Sequence, residues 1–129
     1  MSNFGFGKTV ESDFESAVQQ VTDELAKEGF GVLTTIDVQA TLKAKLDIDM
    51  PGYRILGACN PGLASQAISA VADIGLLLPC NVLVREDDDG KVHVGFMDPG
   101  AVLSLVDDPR VDPLAEQVKS KLENVMAAL

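Results

Sequence analysis

Apolar residues recur along the chain at two spacings, one typical of helices and the other typical of strands. Helical spacing occurs within Phe14–Leu25, Leu63–Val71 and Leu114–Leu129, where it would place one apolar stripe against a core. Alternation typical of a half-buried strand occurs at Val92–Met97. The complete pattern predicts a strand, a helix, a strand, a short helix, a strand, a helix, a strand hairpin and C-terminal helices.

Residues that cap or break helices set the expected limits of the first helix and of the strand after it. Ser12 is followed three residues later by Glu15, which predicts a capping box at the start of the helix, and Gly29 is expected to end it. The next segment is β-rich and predicts a strand over Phe30–Ile36. Alternation would put four of its residues on the face opposite Leu33, namely Phe30, Val32, Thr34 and Ile36.

Proline follows a polar residue at three places where a helix is expected to begin. These places are Asn60-Pro61, Asp98-Pro99 and Asp112-Pro113. The helix after Asn60 is expected to bury one apolar stripe, formed by Leu63, Ala64, Ala67, Ile68 and Val71.

A near-continuous apolar segment, Leu76–Arg85, predicts a strand, and Pro79 within it indicates an edge strand or a bulge. The acidic segment Glu86–Gly90 would connect this strand to Val92–Met97 as a hairpin. A hairpin together with long helices predicts an α+β fold, in which helices cover a mainly antiparallel sheet. A doubly wound parallel sheet is the rival, because helices and strands alternate in the first half of the chain. No repeat or linker divides the sequence, so we expect a single domain over residues 1–129.

The charge of the chain limits its partners. Its 129 residues include 20 acidic and 10 basic side chains, for a formal net charge of −10. This charge argues against nucleic acid and anionic membrane as main partners, because both favour Lys and Arg.

The longest charge-free stretch, Ile55–Ala72, contains a proline and several polar residues, which is not typical of a membrane span. Met1–Lys8 lacks the pattern of a secretory signal, so we expect a cytoplasmic protein with reduced thiols.

Motifs that could indicate catalysis or metal binding lack the residue types that such sites require. His93 is the only histidine, so a Ser-His-Asp triad or a two-histidine metal site has little to build on, and we expect a solvated or capped side chain. A calcium loop aligned on Gly90 would place Arg85 and Phe96 at ligand positions that require acids. We therefore predict no catalytic residue, no metal site and no cofactor, and we expect that the protein is not an enzyme.

The two cysteines mark the strongest candidate site. Cys59 directly precedes a predicted helix start, where unpaired backbone N–H groups and the helix dipole would stabilise a thiolate. Cys80 follows the proline that must break the strand ladder, so both thiols would line one pocket if the two strand ends lie on the same edge of the sheet. The alternative is that both are small buried core residues. The candidate ligand or thiol site comprises Cys59, Asn60, Pro61, Pro79, Cys80 and Asn81.

Three segments carry a recognisable pattern: Tyr53–Pro61, which ends in Cys-Asn-Pro, Ile74–Val82, which contains Leu-Pro-Cys-Asn, and Met97–Pro99. With these segments the chain resembles the "domain of unknown function 302" family over about Lys8–Val106. The resemblance implies a small prokaryotic α+β domain, a topology similar to that of TATA-binding protein, and a frequent homodimer. It implies no established reaction, and similarity of the sheet does not carry DNA binding with it.

Three functions stay open on the sequence alone. The prediction is a small non-catalytic binding module, dimeric, which docks an unknown small ligand or protein partner near Cys59 and Cys80. The alternative is a thiol-based redox or soft-metal-binding protein that uses the same two cysteines. A purely structural or oligomerisation domain is the third. An isolated low thiol pKa would favour the thiol-based protein, whereas a closed interior without a pocket would favour the structural domain.

Overall fold

Five strands, five helices and two 3₁₀ turns make up the described part of the chain. The structure is a computed structural model that describes residues 3–129, so Met1 and Ser2 of the expected domain and of its N-terminal segment lie outside the described residues. The strands are β1 (Gly5–Val10), β2 (Gly31–Asp37), β3 (Tyr53–Cys59), β4 (Cys80–Glu86) and β5 (Val92–Met97). The helices are α1 (Phe14–Lys27), α2 (Val38–Leu46), α3 (Pro61–Ala70), α4 (Pro99–Leu103) and α5 (Asp112–Ala128). The 3₁₀ turns are Ala72–Leu77 and Ser104–Val106.

All five strands form one antiparallel sheet in the order β1-β5-β4-β3-β2. The predicted hairpin between β4 and β5 is confirmed, and the parallel rival is wrong. Gly90 in the connection has a φ of +80°, which glycine adopts without steric cost. The Asp87 carboxylate orders the same connection by accepting hydrogen bonds from the backbone N–H groups of Asp89 at 2.9 Å and Lys91 at 3.0 Å.

Helices cover one face of the sheet, and within residues 3–129 the other face is left open over β1, β5 and β4. α1 packs across the covered face, and α5 packs beside α1. Because successive strand residues point to opposite faces, every second residue of β4 and β5 is buried under the helices. This arrangement confirms the predicted α+β fold. The buried strand residues of the covered face include Leu56, Ala58, Cys80, Val82, Val84, Val92, Val94 and Phe96.

The first helix has a different cap from the predicted one. Asp13 rather than Ser12 is the N-cap, and its carboxylate accepts a hydrogen bond of 2.8 Å from the backbone N–H three residues later. The capping box of Ser12 with Glu15 is therefore wrong, because the Glu15 carboxylate pairs with Arg54 of β3 instead of returning to the cap. Gly29 follows the helix with a φ of +83°, which agrees with the predicted end.

A β-bulge in β2 corrects the predicted faces of that strand. Between Val32 and Thr34 the chain advances two residues on β2 for one residue on β3, so Leu33 is the extra residue. Val32 therefore lies on the covered face, whereas Thr34 and Ile36 lie on the open face. The prediction that all of these residues share one face is wrong, because alternation alone cannot reveal an inserted residue.

The segment before β4 also differs from its prediction. Residues Ala72–Leu77 form a 3₁₀ turn in which Ile74 is buried, so the predicted strand Leu76–Arg85 is wrong in its first residues. Pro79 stands just before β4, where no ladder hydrogen bond is needed from its nitrogen. β4 is an inner strand between β3 and β5 rather than an edge strand.

A helix was predicted to begin at each of three pairs of a polar residue followed by proline, and the three pairs differ in the structure. Asn60 caps α3 and Asp98 caps α4 through their side chains, whereas Asp112 lies within the first turn of α5 and α5 has no side-chain cap. In α3, Ile68 of the predicted buried stripe is 50% exposed, because it lies at the mouth of the cavity described below. None of the helices within residues 3–129 is both long and apolar enough to cross a bilayer.

Candidate functional site

The end of β3 and the start of β4 bring Cys59 and Cys80 to the same end of the sheet. Ala58 is the residue opposite Cys80 in the antiparallel pairing, and Cys59 is the next residue along β3. The Cys80 side chain points toward the helices and is 6% exposed, whereas Cys59 is half-buried. Both cysteines are free thiols.

Asn60 connects the cysteine segment to two helices. Its side-chain oxygen accepts a hydrogen bond of 3.4 Å from the backbone N–H of Leu63 and thereby caps α3. Its side-chain NH₂ group donates a hydrogen bond of 3.4 Å to the carbonyl oxygen of Glu28, at the end of α1. Pro61 then supplies the first residue of α3, where a missing N–H costs nothing. The amide of Asn60 is thus used by the fold itself.

A cavity of about 300 Å³ lies between α3, the sheet and the C-terminal helices, and both cysteines line it. Its remaining wall is largely aliphatic or aromatic, and Leu33 and Ile68 stand exposed at its mouth. Of the six residues predicted for the site, four line this cavity: Cys59, Asn60, Pro79 and Cys80.

The other two residues predicted for the site lie elsewhere. Pro61 begins α3 and does not line the cavity. Asn81 points to the open face of the sheet, because it follows Cys80 directly on β4 and successive strand residues alternate.

The Cys80 thiol in this cavity forms little thiolate at neutral pH. Burial raises the pKa of the Cys80 thiol from its ordinary value of 9.0 to about 11, and the nearby Cys59 adds to the shift. Thiolates are the nucleophiles and the metal ligands, so a protonated Cys80 performs neither role. Within residues 3–129 no three His, Cys, Asp or Glu side chains cluster closely enough to hold a metal ion. The thiol-based alternative therefore gains no support here.

A second concave surface, which the sequence did not reveal, lies on the open face of the sheet. This open-face groove has a volume of about 630 Å³ and is floored partly by Gly5, Gly7 and Gly95. A Cβ atom added at Gly95 would meet no other atom within 4 Å, so the groove exists because that strand position carries no side chain. The strand register places a row of four polar residues across one end of this face, namely Thr9, His93, Arg85 and Tyr53.

His93 is held on both sides within this row. Its Nε2 lies 2.7 Å from the Asp87 carboxylate, and its Nδ1 lies 2.8 Å from the Thr9 hydroxyl. The hydrogen bond with His93, with help from the backbone N–H groups of Lys91 and Asp89, lowers the pKa of Asp87. Because an ionised carboxylate only accepts hydrogen bonds, Nε2 carries a proton, and in a neutral ring Nδ1 accepts from Thr9.

The two arginines of the sheet have contrasting environments. Arg54 forms two hydrogen bonds with the Glu15 carboxylate, at 3.0 and 2.9 Å, and its guanidinium lies 5.0 Å from the centre of the Phe14 ring. These hydrogen bonds raise the pKa of Arg54 and lower that of Glu15. Arg85 lines the open-face groove, and within residues 3–129 it forms no ion pair. Arg54 is therefore engaged in the fold, and Arg85 is free to meet a ligand.

Comparison with known proteins places this geometry in a family. A family model described as "Domain of unknown function DUF302" matches residues 6–129. The chain belongs to the DUF302 family. A crystal structure of an uncharacterized conserved DUF302 protein from Bacillus stearothermophilus is similar, with 24% identity, 98% of each chain covered and a TM-score of 0.90. No curated protein matches the chain.

Membership of the DUF302 family confirms the resemblance drawn from the three sequence segments. The match with the solved DUF302 protein shows the α+β fold, and at 24% identity it shows the fold alone. The family is one of unknown function, and the similar solved protein is described as uncharacterized. Neither comparison indicates catalysis.

The surroundings of His93 in this DUF302 domain are not predictable from the sequence. Thr9 and Asp87 lie 84 and 6 residues from His93 in the sequence, and strand pairing brings the three side chains together. The sequence predicts only a hairpin connection for the segment Glu86–Gly90 that contains Asp87. The available signal was the alternation of β5, which correctly put His93 on the face opposite its buried apolar neighbours.

Proposed function

We propose that this DUF302 domain is a non-catalytic binding module that takes a small, uncharged, apolar ligand into the cavity beside Cys59 and Cys80. The observation that carries the proposal is the cavity itself, about 300 Å³ of concave space lined by apolar side chains next to a well-packed core. Small-molecule sites in proteins are typically concave and mostly apolar, and this volume is at the lower end of their range.

The chemistry of the lining favours an uncharged ligand. None of the side chains that line the cavity is charged, and a charge moved into such a site without a partner would lose hydration that nothing replaces. The amide of Asn60 already caps α3 and binds the end of α1. Cys80 is protonated at neutral pH. Apolar contact with the wall therefore supplies the binding energy.

A neutral fluorescent probe tests this proposal. N-phenyl-1-naphthylamine is expected to bind with increased fluorescence, and Ala64→Phe is expected to weaken its binding at least tenfold, a loss of about 1.4 kcal/mol. Ala64 is half-buried on α3 and lines the cavity, so a phenyl ring there would occupy the ligand's space. Fluorescence titration of both proteins measures the two dissociation constants.

Ser65→Phe is the matched control for this titration. Ser65 is the next residue of α3, it is exposed, and it does not line the cavity, so a phenyl ring there should leave probe affinity within twofold. Circular dichroism would establish that both variants keep the fold. Equal probe affinity in the wild-type and Ala64→Phe proteins, or no binding at all, would contradict the proposal.

We also propose that the domain forms a homodimer and functions in the cytoplasm. Four of the eight large hydrophobic side chains that stand exposed among residues 3–129 lie between positions 33 and 48, on β2, on α2 and just after α2. β2 is an edge strand, which leaves backbone groups available for another chain. The two free thiols agree with a reducing compartment.

Light scattering tests the dimer. We expect a species of twice 13.6 kDa at high micromolar concentration, and we expect Leu46→Glu to shift the mass toward the monomer. Leu46 is 63% exposed on α2, which buries none of its residues in this chain. Leu105→Glu, at a position 75% exposed in the 3₁₀ turn Ser104–Val106, serves as the control. A monomeric mass for the wild-type protein would refute the dimer.

A further inference from the structure

We infer that the open-face groove is a second binding site, for a small organic carboxylate with an apolar tail. The groove and the cysteine cavity share no lining residue, so they are separate concave surfaces. This inference therefore stands or falls independently of the apolar-ligand function proposed above.

Arg85 supplies the charge that recognises the ligand. Arg85 lines the groove, and its side chain forms no ion pair within the described chain. A guanidinium presents paired N–H groups in a plane that matches the two oxygens of a carboxylate. Lys8 is also near the groove, but its ammonium group donates to the carbonyl oxygen of Met126 at 3.3 Å, on the helix-covered side. Arg85 is thus the cation that a ligand in the groove would meet.

The neighbours of Arg85 fix the shape of the polar end. His93 lies directly across from Arg85 on β5, and its ring is held by Asp87 on one side and Thr9 on the other. A ring held by two hydrogen bonds cannot swing across the groove, so it forms a fixed wall beside the guanidinium. Asp87 uses its carboxylate on His93 and on backbone N–H groups, which reduces its competition for Arg85.

The other end of the groove suits a hydrocarbon. Away from the polar row the groove is lined by Phe4, Leu83, Met97 and Val102, with Leu83 level with Gly95, and by the uncharged polar residue Asn81. His93 and Met97 are four residues apart on β5, so the polar row and the far apolar end are about 13 Å apart along the strand. An extended fatty acid of about eight carbons fits this length. The volume of about 630 Å³ leaves room for it.

Charge complementarity favours a single carboxylate over a phosphate or a polyanion. The chain carries a net charge of −10, which repels anions in general and repels multiply charged ones most. One guanidinium can neutralise one carboxylate locally, and burial of the tail against the glycine-floored groove adds apolar binding energy. A ligand with both a carboxylate and an apolar tail therefore gains binding energy at each end of the groove.

Isothermal titration calorimetry tests the inference by measuring the dissociation constants of three compounds: octanoate, 1-octanol and inorganic phosphate. We expect octanoate to bind at least tenfold more tightly than either of the others, because only octanoate has both the charge and the tail. Arg85→Met should weaken octanoate at least tenfold, and Arg85→Lys should weaken it less. Gly95→Leu should weaken it at least tenfold, because the new side chain would project into the groove without meeting another atom within 4 Å of its Cβ.

Lys91→Met is the matched control, because it removes one exposed positive charge beside β5 without touching the groove. Octanoate affinity within twofold of wild type in this variant supports a local role for Arg85, and an equal loss in both variants would overturn it. The inference also fails if octanol or phosphate binds as tightly as octanoate. If Gly95→Leu changes the mass measured by light scattering and octanoate does not bind, the open face is an interface between copies rather than a ligand site.

Discussion

Gly57→Ala is expected to destabilise the protein by about 2 to 3 kcal/mol, although it adds only one methyl group. Gly57 lies in the inner strand β3, and a Cβ atom there would overlap the Thr34 hydroxyl oxygen and approach Cγ of Pro79 to 2.9 Å. The exposed Thr34 side chain can rotate away, whereas the Pro79 ring has no rotamer to escape into. The overlap must therefore move the segment that carries Cys80 and one wall of the cysteine cavity.

Gly95→Ala is the control, since it makes the same change in the inner strand β5, where no atom lies within 4 Å of the added Cβ. We expect a neutral result or a gain of about 0.5 to 1 kcal/mol, because alanine restricts the unfolded chain more than glycine does. Urea denaturation of both variants measures the two changes. Equal stability of the two variants would show that Pro79 moves freely beside Gly57.

The sequence predicted those parts of the fold whose signals are local. The stripe of α1, the stop at Gly29, the hairpin around Gly90 and the cap at Asn60 each depend on a few adjacent residues, and each agrees with the structure. Asp13 and Ser12 are both good capping residues, so the choice between them depended on Arg54, which draws Glu15 away from the helix start. That contact spans 39 residues, and no local pattern contains it.

The candidate site was predictable only in part for the same reason. Cys59 and Cys80 each stand at a visible break in the sequence, so their position at one end of the sheet followed from antiparallel pairing. Asn81 was included in the predicted site because it follows Cys80 in the sequence. Its side chain lies on the opposite face of the sheet, because successive side chains of a strand alternate. The open-face groove depends on how Arg85 and His93 align across β4 and β5. This register cannot be read from the sequence of either strand alone.

Stability is expected to fall between pH 9 and pH 11 because of Cys80. Its pKa rises from the ordinary 9.0 to about 11 in the folded protein, chiefly through burial and secondarily through Cys59. Below pH 9 the thiol is protonated in both the folded and the unfolded states, so its contribution is fully present. Above pH 9 the unfolded chain loses the proton first, which favours unfolding until the folded thiol also ionises near pH 11. Two pH units correspond to about 3 kcal/mol lost over this interval.

Cys80→Val isolates this effect, because every other ionisable group is common to the wild-type and variant proteins. Valine is similar in size and carries no proton, so the difference in unfolding free energy between wild type and variant should change by about 2 to 3 kcal/mol between pH 8.5 and pH 11. Cys59→Ala, which keeps the buried thiol and removes the secondary cause, should retain most of the change. Urea denaturation across this range measures all three proteins. A pH-independent difference between wild type and Cys80→Val would mean that water reaches Cys80, and the wall of the cavity would then be open rather than apolar at that point.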